Sequence, residues 1–462
     1  MLDVRDKTVL GTFFHAPVRG TVEVLEDALV GVDVSGAIDA VLRPADAGYA
    51  ARKSDASRSG TLIPLPPGCF VLPGFVDLHL HAPQYPQLGA ALHVPLEIWL
   101  QEYTFPLEAR YADATFAEHA YTALVADILA LGTTTAVLFA TIHQEATRLL
   151  VDICLQRGLR ALVGKVAMDN PESCPDFYRD DSAAAAMEGT VALIDYVRTH
   201  PDNREGLVLP AVTPRFIPSC TDPLLERLGE LARTAGCHVQ THCSESDWEH
   251  GAVLARYGRS DADSLDAFGL LTRRTVLAHG NLLSDPDMDA IARRGSGVAH
   301  CPISNAYFSN AVFPLRRALE KGVRVGLGTD VSGGPSASLL DNCRMAIAVS
   351  RLLEDGVDPE EPPASRGAGN ARVDWKMAFH LATAGGADVL DLPVGSFAPG
   401  RQFDALAVDT TARLGTIRTF DEVDNLETLL QKIIYGASRA NIADVWVGGR
   451  RVAGAVETEG RQ

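Results

Sequence analysis

The sequence predicts an α/β protein: a (β/α)8 barrel beside a small β-sandwich domain formed from both chain ends. Three observations carry this. Eight apolar runs of strand length follow one another between residues 71 and 334, helical segments separate them, and short alternating strand-like runs gather before and after that stretch. Barrel strands are buried on both sides and so read as continuous apolar runs, while 462 residues leave room for one large domain and a smaller one.

In chain order, the first seventy residues alternate TVLGTFF, TVEVL, ALVGVDV and AIDAVL with turn residues and then pass through the polar stretch ARKSDASRSG, the pattern of a small β unit. The barrel strands are read in VLPGFVDLHLH, TTTAVLFA, RALVGKVAMD, GLVLPAVTPRF, CHVQTHCSES, TVLAHGNLL, GVAHCPISN and VRVGLGTDVSGG. Between them, segments such as DPLLERLGELARTAG and DPDMDAIARRG show helical periodicity and end in glycine. Beyond Pro393, DALAVD and ADVWVGGRRVAG flank the helical NLETLLQKIIYGAS. Neither terminal piece can hold a core alone, so 1–70 and 394–462 are expected to form one composite β domain beside a barrel over 71–393.

With 41 Lys plus Arg against 59 Asp plus Glu, the net charge of −18 repels polyphosphate and anionic headgroups, which argues against nucleic acid or a membrane surface as partner. The N-terminus MLDVRDKTVL lacks the basic start and long apolar run of a signal peptide, so a cytoplasmic location is expected. The stretches free of charge, Thr61 to Val76 and Ile128 to Gln144, are too short to span a bilayer. Eight cysteines with no C-x-x-C pair read as reduced thiols.

Five potential metal ligands fall at predicted strand ends: His79 and His81 on the first barrel strand, His242 on the fifth, His279 on the sixth and Asp330 on the eighth. That end of a barrel is where active sites are built. In His-x-His both imidazoles leave the strand on one side, because alternate residues share a face. Imidazole nitrogens with one carboxylate suit Zn²⁺, with Fe²⁺ as the alternative. His300, in AHCP on the seventh strand, has no partner at ligand spacing.

PGFVDLHLH (73–81), followed by THCSES, LAHGNL, AHCPISN and GLGTD, resembles the amidohydrolase superfamily of metal-dependent hydrolases. Within it, H-A-P-Q-Y (81–85), LEIWLQEYTFP (96–106), VGKVAMD (163–169), TPRF (213–216), H-x-S-E (242–245) and GTDVSGG (328–334) resemble the guanine-deaminating branch in order. The segment SNAYFSN (304–310) departs from that branch in its aromatic residues. Binuclear members carry a carboxylated lysine on the fourth strand; here that strand ends in Thr213-Pro214-Arg215, and the nearest strand lysine, Lys165, lies on the third. The resemblance therefore implies one Zn²⁺ per chain on His79, His81, His242 and Asp330, with His279 beside the attacking water.

It further implies hydrolytic deamination of guanine to xanthine and ammonia. Asp330 would take the proton of a metal-activated water, His279 would hold that water, and Glu245 would shuttle a proton to ring N3 and then to the leaving amine. Gln84 and Arg215 would read the lactam edge and Phe216 would lie against the ring, with His242, Glu245 and Asp330 also facing the substrate. Trp99 and Tyr103 are read as packing residues. Homodimers are the family's norm. Rival expectations are a deaminase of a pterin, 8-oxopurine or cytosine-type ring, a cyclic-amide hydrolase, which would need a bridging lysine and a second metal, and a scaffold that has lost catalysis.

Overall fold

Gly74 is where the chain leaves one sheet and enters another. In the computed structural model, which describes residues 3–309 and 311–454, the run read as a single strand from Val71 to His81 is two strands. Cys69–Pro73 belongs to a sheet made from the chain ends and Phe75–His81 to the barrel. A side chain at position 74 would collide with Thr134, whose Oγ1 lies 2.1 Å from where a Cβ would stand, so the crossing needs glycine.

The outer sheet begins with β1 (Lys7–His15), β2 (Glu23–Val32), β3 (Ile38–Leu42), β4 (Leu62–Pro64) and β5 (Cys69–Pro73). The barrel supplies β6 (Phe75–His81), β7 (Thr133–Phe139), β8 (Arg160–Gly164), β9 (Val166–Ala167), β10 (Val208–Pro214), β11 (His238–Cys243), β12 (Thr275–His279), β13 (Gly297–His300) and β14 (Arg324–Leu327). Three more strands, β15 (Ala405–Asp409), β16 (Ile442–Val447) and β17 (Arg450–Gly454), return to the outer sheet.

Its order is β17-β16-β15-β5-β1-β2-β3, with β4 also on β1, so strands from the two chain ends meet where β15 pairs antiparallel with β5. Phe13, Val71, Phe397, Phe403 and Trp446 fill its own core, drawn from both ends of the sequence. Residues 455–462, at the tail of the expected composite domain, lie outside the described residues. The polar stretch 51–60 belongs to a helix, Tyr49–Ser59. Only Ala56 of it is buried, so it has no apolar stripe to betray it in the sequence.

The barrel strands run parallel in the order β6-β7-β8-β10-β11-β12-β13-β14, with the two-residue β9 pairing β10 where the RALVGKVAMD run bends after Gly164. The segment after β14 closes the ring: Asp330 N–H donates to the His79 carbonyl at 2.8 Å and His81 N–H to the Val331 carbonyl at 2.9 Å. These bonds bring Asp330 to the two histidines of β6. The expected helices 222–236 and 285–295 are observed as Asp222–Ala235 and Asp285–Arg294, each followed by a left-handed glycine. Arg160 ties the barrel to the outer sheet through two hydrogen bonds to the fully buried Asp404 carboxylate, at 2.9 and 3.2 Å. All eight cysteines are free thiols, and all but Cys69 are buried. No helix among the described residues is long and apolar enough to cross a membrane.

Candidate metal centre and active site

His79, His81, His242, His279, Glu245 and Asp330 converge at the mouth of the barrel, all buried. Their donor atoms fall into three overlapping groups, each within 4.8 Å: His79 with His242 and His279, His79 with His81 and Asp330, and Glu245 with His279 and Asp330. Asp330 is the hub. Its Oδ1 lies 3.1 Å from His79 Nε2 and 3.7 Å from His81 Nε2, and its Oδ2 lies 3.8 Å from His279 Nε2.

Local backbone geometry aims these groups. Ser244, His279 and Asp330 all adopt left-handed conformations (φ 53°, 75° and 48°), which side-chain-bearing residues seldom do. Such strain is held in place by the surrounding structure. Here part of that hold is Asp77, wholly buried on β6, whose carboxylate accepts the His79 N–H at 3.2 Å, the Thr329 N–H at 3.0 Å and the Thr329 hydroxyl at 2.6 Å. Burial pushes the Asp77 carboxyl up to about 6 against those bonds. Gly333 completes the turn, since a Cβ there would stand 2.5 Å from Ser304 Oγ and 2.6 Å from Asp330 Oδ2.

The protonation pattern suits a cation. Burial pushes His79, His81, His242 and His279 below the ordinary imidazole value, towards the neutral form that ligates. Burial alone would raise Asp330, but His79, His279 and His81 around it hold its carboxyl well below the usual range. His242 Nδ1–H donates to the Arg215 carbonyl at 2.5 Å, which leaves its Nε2 a bare lone pair 2.9 Å from His81 Nε2. His279 Nδ1–H donates to Asn305 Oδ1 at 2.9 Å, so its Nε2 is likewise a lone pair. Asn305 is itself fixed, since its amide donates to Asn281 Oδ1 at 2.7 Å and Asn281 donates to the Glu245 carbonyl at 2.9 Å. His79 Nε2, His81 Nδ1 and His279 Nε2 are buried with no hydrogen-bond partner. The orphaned Nε2 atoms of His79 and His279, facing the Asp330 carboxylate beside His81 Nε2, are costly unless something electrophilic sits among them, so the residues present fit a divalent ion.

A narrow cavity opens beside this cluster, lined by His81, His242, Glu245 and Asp330 together with Gln84, Arg215 and Phe216. All the site residues expected from the sequence are thus brought together, His79 and His279 as members of the cluster that do not line the cavity. Glu245 follows the Ser244 turn; burial and then the Asp330 charge push its carboxyl well up, opposed by Arg215. Phe216 lies 6.3 Å from the His242 ring and 5.9 Å from Trp248.

Several site residues carry no expectation from the sequence. Glu108, with no exposed surface, joins Arg215 at 2.6 and 3.2 Å and accepts from Gln84 Nε2 at 2.9 Å. In sequence it is one acid among 59, with nothing to single it out. Asp77 did leave a signal, an acid inside the otherwise apolar run of a doubly buried strand. Asn305 lies in the AHCPISN block, and Trp248 and Glu249 follow the H-x-S-E block, so all three were close to residues already marked. Trp99, read as a packing residue, lines the cavity and meets Phe308 at 4.9 Å, whereas Tyr103 is 40% exposed. Phe308 comes from the divergent SNAYFSN segment, whose last residue, Asn310, lies outside the described residues.

Lys165 is committed to Asp180 at 2.7 Å and to the Val166 carbonyl at 3.1 Å, away from the histidine cluster. His300 is buried against Phe313, 5.3 Å between ring centres, with its imidazole pushed down to about 3 by burial. A wider groove on the outer side of Trp248, lined by Asn170, Ile217 and Arg256, holds none of the candidate ligands.

Comparison with known proteins agrees with this geometry. The amidohydrolase family profile matches residues 70–452. A protein of Schizosaccharomyces pombe described as a probable guanine deaminase is 39% identical, over 96% of this chain and 83% of its own length. The structure of the guanine deaminase from C. acetobutylicum with bound guanine superposes with a TM-score of 0.84 at 29% identity, covering 96% of this chain and 99% of that one. An adenosine deaminase from Xanthomonas campestris with bound zinc superposes at 0.78 and 26% identity, covering 97% and 92% of the two chains. The chain belongs to the amidohydrolase family, in the branch that holds the guanine deaminases.

Proposed function

We propose that this protein hydrolyses guanine to xanthine and ammonia, using one Zn²⁺ per chain held by His79, His81, His242 and Asp330. The observation that carries the reading is the sharing of one cavity by a buried His/Asp cluster with orphaned nitrogens and by the purine-edge residues Gln84 and Arg215. The guanine-bound relative and the zinc-bearing neighbour support it. Fe²⁺ would suit the same donors.

When bound, the cation supplies hydroxide at neutral pH by lowering the pKa of water from about 15.7 to about 7. The protein groups do the rest. Asp330 accepts the proton of the attacking water, and His279, its Nε2 lone pair fixed by Asn305, accepts a hydrogen bond from that water. Glu245 delivers a proton to ring N3 as C2 is attacked, takes up the proton of the new C2 hydroxyl and passes it to the departing amine, and the proton left on Asp330 then restores Glu245, so the two protons of water balance those gained by N3 and by ammonia. Arg215 donates to O6, Gln84 reads the same edge, and Phe216 lies against the ring face. Trp99 and Phe308 roof the cavity and keep other water out.

The rest of the reading is a homodimer working in the cytoplasm on a free, uncharged purine base, in purine catabolism, with the composite domain of the two chain ends, carried to Pro73 rather than to residue 70, beside the barrel. A net charge of −18 does not hinder approach of such a base. Ultraviolet assay of guanine, beside pterin, 8-oxopurine and cytosine, tests the substrate: fast conversion of a rival with none of guanine contradicts the proposal. Two metals per chain would point instead to a cyclic-amide hydrolase.

A further inference from the structure

We propose that Glu108 is the positioning residue that fixes the N–H donors of Gln84 and Arg215 on the ring-edge side of the cavity, selecting a 6-oxo over a 6-amino ring; this rests on the guanine reading. Glu108 has no exposed surface and lies on the helix Phe105–Ala109. Its Oε2 accepts from Arg215 Nη1 at 2.6 Å, and its Oε1 accepts from Arg215 Nη2 at 3.2 Å and from Gln84 Nε2 at 2.9 Å. One carboxylate therefore grips both residues that face the substrate.

An ionised carboxylate only accepts, so it dictates which end of the Gln84 amide turns towards it. Nε2 must face Glu108, which turns Oε1 the other way, where it accepts the Ser332 N–H at 3.2 Å with one lone pair to spare. Arg215 has no acceptor at all. Its guanidinium carbon lies over the Phe105 ring, 4.9 Å from the ring centre, on the same helix as Glu108. The hydrogens that Gln84 and Arg215 have left for a ligand in the cavity are thus donors in a fixed arrangement, which match a ring carbonyl and leave an exocyclic amine facing other N–H groups. Were residue 108 an amide, its own NH₂ would have to face either Gln84 or Arg215. Gln84 could then flip, and Arg215 would be buried without a counter-charge.

The test compares native protein and E108Q through the KM for guanine and the Ki of 2,6-diaminopurine as competitive inhibitor. Neither constant depends on the fraction of active enzyme, so a purely structural loss would leave both unmoved. For E108Q, the guanine KM should rise at least about tenfold while the Ki changes less than about threefold, so that the ratio Ki/KM falls about tenfold. An unchanged ratio overturns the role. If E108Q does not fold, E108D, one methylene shorter with its acceptors drawn back, is read against the same ratio, and an unchanged value again overturns it. Native protein that does not convert guanine sinks the guanine reading itself, and this role with it.

Discussion

The two sides of the cavity are built on opposite principles. On the metal side, His79, His81 and His279 carry buried nitrogens without partners around Asp330. On the ring-edge side, Gln84, Glu108, Arg215 and the Ser332 N–H hold one another in a connected set of hydrogen bonds that leaves N–H donors over for a ligand. The first arrangement is complete only with an ion; the second is rigid before any ligand arrives. A hydrolase needs both, a centre that is reactive because it is unsatisfied and a reader that is selective because it is satisfied.

The sharpest way to break the comparison is on the metal side. His79→Ala should lose metal and activity together, with turnover down by about 10⁴-fold or more, and metal analysis beside the assay checks it. Chelation of the native protein should do the same reversibly, with activity returning on Zn²⁺ addition. Glu245→Gln should keep near-native metal content yet lower turnover by about 10²–10⁴-fold, because an amide cannot carry the proton; substantial residual activity would refute its role.

A stability measurement contrasts the two sides directly. In metal-free protein, Glu108→Ala leaves buried Arg215 uncompensated and should cost about 3–5 kcal/mol. His79→Ala removes an imidazole whose Nε2 stands 3.1 Å from Asp330 without a hydrogen bond and should cost less, so denaturant midpoints should fall in that order. Asn305→Ala releases the tautomer of His279 and should lower kcat/KM by about 10–100-fold with the metal retained. The smallest effect belongs to Phe216→Leu, which trims one face of the ring slot and should raise the guanine KM by about 3–10-fold.

The metal side was legible in the sequence because periodicity exposes it. Once eight apolar runs are seen as barrel strands, His79, His81, His242, His279 and Asp330 fall at strand ends, and strand ends of a parallel barrel meet at one mouth. The ring-edge side was half legible. Gln84, Arg215 and Phe216 stand in blocks that resemble a known branch, but Glu108 joins them from a helix across 107 residues of sequence from Arg215, a relation only the tertiary fold creates. The split at Gly74 stayed hidden because both strands are apolar and consecutive; what parts them is their pairing, β5 with β15 and β6 with β7, both far off in sequence. The helix over Tyr49–Ser59 stayed hidden because it buries almost nothing.

The central claim is that the unsatisfied cluster and the satisfied reader act on one guanine molecule. Its most direct test is a time course of guanine loss by metal-loaded protein, with xanthine and ammonia measured in the same sample. One xanthine and one ammonia should appear for each guanine lost, at a rate abolished by chelation and restored by a divalent metal. Metal-loaded, folded protein that leaves guanine untouched while it deaminates a different ring would contradict it.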